Sequence, residues 1–152
     1  MRVLILGLLL LTGACTKPSI HGVWEYEDDG VGEYSFAHYA YLEDGRKCTV
    51  LFRYSDSAIE TTVFLNTWEL DDGVMTLKYG PNTSVIREGY SSRSRIDKIS
   101  TTHLAYTIFD SSYAVGTSEV LIRLPNADPE RVCDLVNREL DVPDKEILSD
   151  QA

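Results

Sequence analysis

From Gly22 to Leu124 the chain is written in short runs. Apolar and polar residues alternate within them, Val, Ile, Thr, Tyr, Phe and Trp are frequent, and turn-forming residues break them at short intervals. Alternation with a period of two is the mark of strands with one face buried. The pattern predicts strands at about 22–27, 33–42, 46–54, 59–70, 74–79, 83–88, 95–99, 103–109 and 115–124. Glu43-Asp44-Gly45 and Asp71-Asp72-Gly73 are Asp-Gly hairpin signals, because Gly supplies the positive φ of a tight hairpin. Gly80-Pro81-Asn82 reads as a strand breaker and Asp110-Ser111-Ser112 as a further turn. Such spacing leaves no room for crossover helices, so the sheet is an antiparallel meander.

Alternation also assigns faces. Cys48, Val50, Phe52 and Tyr54 share one side of their strand, as do Phe64, Trp68 and Leu70 of theirs. Leu104, Tyr106 and Ile108 oppose His103, Ala105, Thr107 and Phe109. The run at 33–42 is large on both faces, with Tyr34, Phe36 and His38 on one and Tyr39 and Tyr41 on the other. Such a strand is covered on both sides or lines a cavity on one.

After Pro125 the period changes. Asp128-Pro129-Glu130 is a helix start, with Asp as N-cap and Pro at the first helical position. Val132, Leu135, Val136 and Leu140 follow at helical spacing, and Pro143 ends the helix. The expected fold is all-β: an antiparallel up-and-down barrel of about 8–9 strands with one short C-terminal α-helix packed on it. Closure removes the exposed edges that an open sheet of this size would leave.

The N-terminus is of another kind. Residues 1–15 read MRVLILGLLLLTGAC: one charge at Arg2, an apolar run from Val3 to Leu11, then small residues before Cys15. The run is shorter than the roughly 20 residues a membrane-spanning helix needs. It has the form of a cleavable export signal. Thr12-Gly13-Ala14-Cys15 resembles the lipobox of bacterial lipoproteins. The resemblance implies removal of residues 1–14, acylation of Cys15 (palmitate among the chains), and a lipidated tether over 15–21. With Thr16 after the cysteine it implies retention in the outer membrane, facing the periplasm. The remaining cysteines, Cys48 and Cys133, form an even pair in an oxidising compartment. An internal disulfide between them is the expectation, with two buried free thiols or bonds to another molecule as the alternatives. A bond would pin the helix to the third strand.

His21-Gly22-Val23-Trp24 places Gly-x-Trp at the first strand. With Tyr41-Leu42-Glu43-Asp44-Gly45 and Thr67-Trp68-Glu69-Leu70-Asp71-Asp72-Gly73, it resembles the bacterial lipocalin-like lipoproteins, within the calycin class of barrels. The resemblance covers most of 20–124 in plan. It implies a domain over 22–142, a Trp packed across the barrel floor, and small apolar ligands where ligands are known. Residues 143–152 are expected to be a flexible tail.

The formal charge of the chain is −10. That excludes nucleic acid as a natural partner, because phosphate binding requires clustered Lys and Arg. It suits a cationic protein partner. His21, His38 and His103 are not at metal-ligand spacing, and no nucleophile–base pair or paired carboxylates can be assembled, so neither a metal nor a cofactor nor an enzyme is expected. Two features carry the functional reading. The first is an aromatic set in which Trp24, Tyr34, Phe36, Tyr41, Phe52 and Trp68 are the candidate ligand contacts, with Tyr39, Phe64, Tyr106 and Phe109 in the same set. The second is a local basic run, Arg87, Arg93, Arg95 and Lys98, in which Arg87 and Arg95 are candidates for an anion-facing rim. The expected function is a non-catalytic binding module for a small apolar or amphipathic ligand in the cell envelope. The alternative is an acidic inhibitor that binds a cationic protein, such as a lysozyme-type enzyme or a toxin.

Overall fold

The structure is a computed structural model that describes residues 19–27, 36–54, 58–112 and 114–141. Among the described residues, eight strands and one helix follow in chain order: β1 Gly22–Glu27, β2 Phe36–Tyr41, β3 Arg46–Tyr54, β4 Ile59–Asp71, β5 Val74–Asn82, β6 Ser91–Ile99, β7 His103–Asp110, β8 Ser118–Leu124 and α1 Pro129–Leu140. Each strand pairs antiparallel with the next, and β1 pairs with β8 through Val23↔Leu124, Trp24↔Arg123 and Glu25↔Ile122. The result is a closed up-and-down barrel of lipocalin-like plan with one helix outside it.

The Asp-Gly turns form as their chemistry requires. Asp72 and Gly73 take φ of +44° and +76°, the paired left-handed values of a two-residue hairpin. In the β2–β3 turn, Asp44 accepts from the Arg46 backbone N–H at 3.0 Å and from its Nε at 2.6 Å. Arg46 reaches on to Glu130 at 3.1 Å, which ties the hairpin to the first turn of α1.

One expected strand is absent. Residues 83–88 form a loop, so the barrel has eight strands. Asn82 organises it: its Nδ2 donates to the carbonyls of Gly80 and Ile86, and its Oδ1 accepts from Ser84 N–H and Oγ. These side-chain bonds to nearby backbone replace ladder pairing. Gly80-Pro81-Asn82 does not break β5, which runs through it to Asn82 beside a register shift between Phe64 and Asn66. An irregular pairing is where a sheet admits Gly and Pro. β6 begins at Ser91, four residues before the expected start.

Two apolar clusters form. One lies inside the barrel around Trp24, Tyr41, Met75, Leu104 and Leu121. The other lies outside, where Val132, Cys133, Val136 and Leu140 of α1 meet Val23, Ala40, Cys48, Val50, Val63 and Leu65. The helix has the expected caps: Asp128 accepts from Glu130 N–H at 3.0 Å, and Asp141 closes it at φ +53°. A Cys48–Cys133 disulfide crosses this second core with Cα atoms 5.2 Å apart.

The two ends of the barrel differ. One end carries the start of β1, the 42–45 and 72–73 hairpins and residues 100–102. Trp24 closes it, fully buried, its Nε1 donating to the Ile20 carbonyl at 2.7 Å. The Arg123 guanidinium lies 4.1 Å from the Trp24 ring and donates to the carbonyls of Ser19 and His21. Ser19–His21, expected as tether, are therefore held against this floor, and Ile20 is buried in the interior cluster. Cys15, residues 1–14 expected as a leader and residues 143–152 expected as a tail lie outside the described residues.

Candidate functional site

Above the floor the barrel interior is not filled. A cavity of about 160 Å³ remains, and Ile86 of the 83–90 loop reaches it from the opposite, mouth end. Its lining has two characters. Leu51, Phe64, Met75, Leu77 and Ile108 are apolar. Lys47, Thr49, Asn66, Ser92, Ser94 and Glu119 are polar, and Tyr39, Tyr79 and Tyr106 lie between. Sheet parity brings them together. Lys47, Thr49 and Leu51 are alternate residues of β3, Phe64 and Asn66 of β4, and Ser92 and Ser94 of β6.

Lys47 is the unusual member. It is 4 % exposed, and its Nζ stands 4.5 Å from the ring centre of Tyr39 and 5.1 Å from that of Tyr41. Burial pulls its ammonium from 10.5 down to about 8, against a smaller upward pull from the Glu119 charge. Among the described residues, no hydrogen-bond acceptor meets the ammonium. Two tyrosine faces partly replace the lost water through their ring quadrupoles.

The neighbouring groups are better matched. Tyr106 donates to Glu119 Oε2 at 2.5 Å. Burial first, and then the Glu119 charge, pushes the hydroxyls of Tyr39, Tyr41 and Tyr106 above their ordinary range. The buried Tyr41 hydroxyl sits beside Tyr106 without a well-formed hydrogen bond. Thr49 Oγ1 is buried in the cavity wall with no partner among the described residues.

The residues singled out as candidate ligand contacts are distributed otherwise. Trp24, Tyr41 and Trp68 point inward but form the floor beneath the cavity. Trp68 Nε1 donates to the carbonyls of Leu42 and Arg46 at 3.2 and 3.0 Å, and its ring meets Tyr41 edge-on at 5.4 Å. Phe36 and Phe52 lie on the outer wall, stacked at 4.3 Å beside His38, because they occupy the parity opposite to Tyr39 and Thr49. Arg87 is exposed in the loop at the mouth. Arg95 faces outward and pairs with Asp97 at 2.9 Å, since its neighbours Ser94 and Ser92 take the inward positions. Tyr34 lies outside the described residues. Of the wider aromatic set, Tyr39, Phe64 and Tyr106 line the cavity, while Phe109 is exposed beneath Arg93.

Lys47, Thr49, Asn66, Ser92, Ser94 and Glu119 were not candidates on sequence. In β3 the more apolar face, Cys48 and Val50, turns out toward α1, so the more polar face turns in. A signal did exist. Tyr41 and Lys47 are cross-strand partners over the hairpin at Asp44-Gly45, so placing Tyr41 inside places Lys47 inside as well.

Among the described residues, no group of His, Cys, Asp or Glu is arranged to hold a metal ion, and no helix is long and apolar enough to cross a membrane. The chain matches no protein-family model and no curated protein.

Proposed function

We propose that the protein is a non-catalytic binding module of the bacterial cell envelope, anchored by lipid on Cys15, whose barrel holds one small amphipathic molecule. The observation that carries this reading is the mixed lining of the interior cavity. Leu77, Met75 and Phe64 offer apolar surface, and Lys47, Thr49 and Asn66 offer polar groups beside it. Binding pockets combine apolar walls with a few convergent polar groups in this way. A barrel that needed only stability would gain more from filling the space with apolar side chains than from burying an ammonium.

The envelope location rests on the leader pattern and the lipobox-like Thr12-Gly13-Ala14-Cys15, with the outer membrane facing the periplasm as the expected site. The Cys48–Cys133 bond is in keeping with an oxidising compartment.

The binding reading is tested on the full chain carrying Cys15→Ala, by titrating small apolar and amphipathic probes while following amide shifts. Saturable shifts at Thr49, Asn66, Ser92 and Ser94 are expected. Shifts scattered over the surface, or none with any probe, would refute an interior site. Anchoring is tested separately: metabolic palmitate labelling of the wild-type chain, lost in Cys15→Ala, is the expected result.

A further inference from the structure

Lys47 stands in the cavity as an ammonium with no carboxylate in contact among the described residues, the Glu119 charge in the same cavity acting on it only from a distance. We infer that the ligand of the barrel is a small monocarboxylate of about one aromatic ring, whose carboxylate sits on the Lys47 ammonium and whose apolar part lies against Leu77 and Met75. The inference deepens the binding reading above and rests on it.

Size comes first. The cavity is about 160 Å³. An engineered apolar cavity of about 150 Å³ holds one benzene, and drug-sized ligands occupy pockets of about 300 Å³ or more. A long acyl chain therefore does not fit inside. One ring, or its short aliphatic equivalent, does.

Charge comes next. Glu119 lines the same cavity, yet its carboxylate already accepts from the Tyr106 hydroxyl at 2.5 Å. Among the described residues, the Lys47 ammonium is in contact only with the faces of Tyr39 and Tyr41, and the Glu119 charge reaches it from farther off. The unmet hydrogen-bonding demand in the cavity is thus for an acceptor beside the Lys47 ammonium. Thr49, 4 % exposed, adds a hydroxyl in the cavity wall with no partner among the described residues, and it follows Lys47 by two positions on the inward face of β3. The two groups supply a charged donor and a neutral donor to one carboxylate, which is the stronger class of hydrogen bonding in a dry site. Burial leaves the ammonium titrating near 8, so it carries its charge at neutral pH.

The test compares three probes of one shape: benzoate, benzyl alcohol and benzylamine. Each is titrated calorimetrically at pH 7 into the full chain carrying Cys15→Ala, and then into the same chain with Lys47→Met. Benzoate is expected to bind one to one and at least tenfold more tightly than benzyl alcohol. Benzylamine is expected to bind no better than benzyl alcohol. Lys47→Met is expected to bring benzoate to the level of the alcohol. Equal affinity for the three probes, a preference for benzylamine, or a benzoate preference that survives Lys47→Met would overturn the inference. If Lys47→Met fails to fold, amide shifts in the Lys47 chain decide: benzoate must perturb Thr49 and Ser94 more than benzyl alcohol does. Interior binding of the alcohol alone would sink the carboxylate and leave the binding reading standing. Absence of interior binding by all three, and by an apolar dye, would remove both.

Discussion

Gly80 has no room for a methyl group. A Cβ built there would lie 2.3 Å from the Leu65 carbonyl oxygen, where β5 passes β4 beside the register shift. The obstacle is backbone and cannot swing aside. Gly80→Ala is expected to destabilise by about 1–3 kcal/mol, the usual range for overpacking, read as a fall in the urea midpoint with unchanged slope. A loss under about 0.5 kcal/mol, the scatter of ordinary surface changes, would mean that the strands are not in this contact. The glycine was legible in the sequence as a special position, but as a breaker. The difference lies in what surrounds it: Asn66 Oδ1 accepts the Gly80 N–H at 3.3 Å, so the irregular stretch keeps a partner and stays in the sheet. Lys47 teaches the same lesson at the candidate site. Its residue type argues for the surface, and only its position opposite Tyr41 puts it inside.

At the scale of elements, the helix and the hairpins follow from local chemistry, and their positions were readable with little ambiguity. Asp128, Pro129 and Glu130 start α1 by chemistry confined to its first turn, and Asp72-Gly73 turns through the left-handed backbone of its own two residues. β6 was harder to read because Ser91, Ser92, Arg93 and Ser94 have little strand character, and it is the polar interior that makes them acceptable. The attachment of α1 depends on the outer cluster and on the Cys48–Cys133 bond, which joins residues 85 apart. Cross-links over loops of this order contribute typically about 2–4 kcal/mol. Replacing both cysteines by Ala should lower the unfolding free energy by about that much. Amide exchange should accelerate in α1 more than in β6 and β7, which α1 does not cover. Uniform acceleration over all eight strands would show that barrel closure itself depends on the bond.

The whole molecule stores charge and hydroxyl groups in its interior, and its pH dependence should show them. The lysine has a folded value near 8 against 10.5 when unfolded. Between these values the unfolded chain holds the Lys47 proton and the folded chain does not, so the lysine makes stability rise with pH. The penalty for burying the ammonium is complete below about pH 8 and fades above it. Tyr39, Tyr41 and Tyr106 act in the opposite sense: from about pH 10 the unfolded tyrosines ionise while the buried ones, raised by desolvation and by Glu119, stay neutral. The contribution of these four groups therefore climbs from about pH 8 and turns down above about pH 10. Lys47→Met should abolish the climb and leave the downturn, as measured by urea denaturation across that range. A climb that persists in the variant would place its origin elsewhere.

The class of fold was legible in the amino-acid order alone: an antiparallel meander long enough to close, the Asp-Gly turns, the capped helix and the cysteine pair that could meet. These depend on period, turn stereochemistry and capping, which act over a few residues. Which face of each strand looks inward was fixed only once the strands were assembled. In a barrel with a helix laid against it, both faces of β2, β3 and β4 meet apolar surface, so hydrophobicity alone does not choose between them. Closure chooses. β1 meets β8 in one register, Trp24 and Tyr41 are carried inside, and every partner two positions along follows. That choice moved Phe36, Phe52 and Arg95 to the outer wall and put Lys47, Thr49 and Glu119 around the cavity.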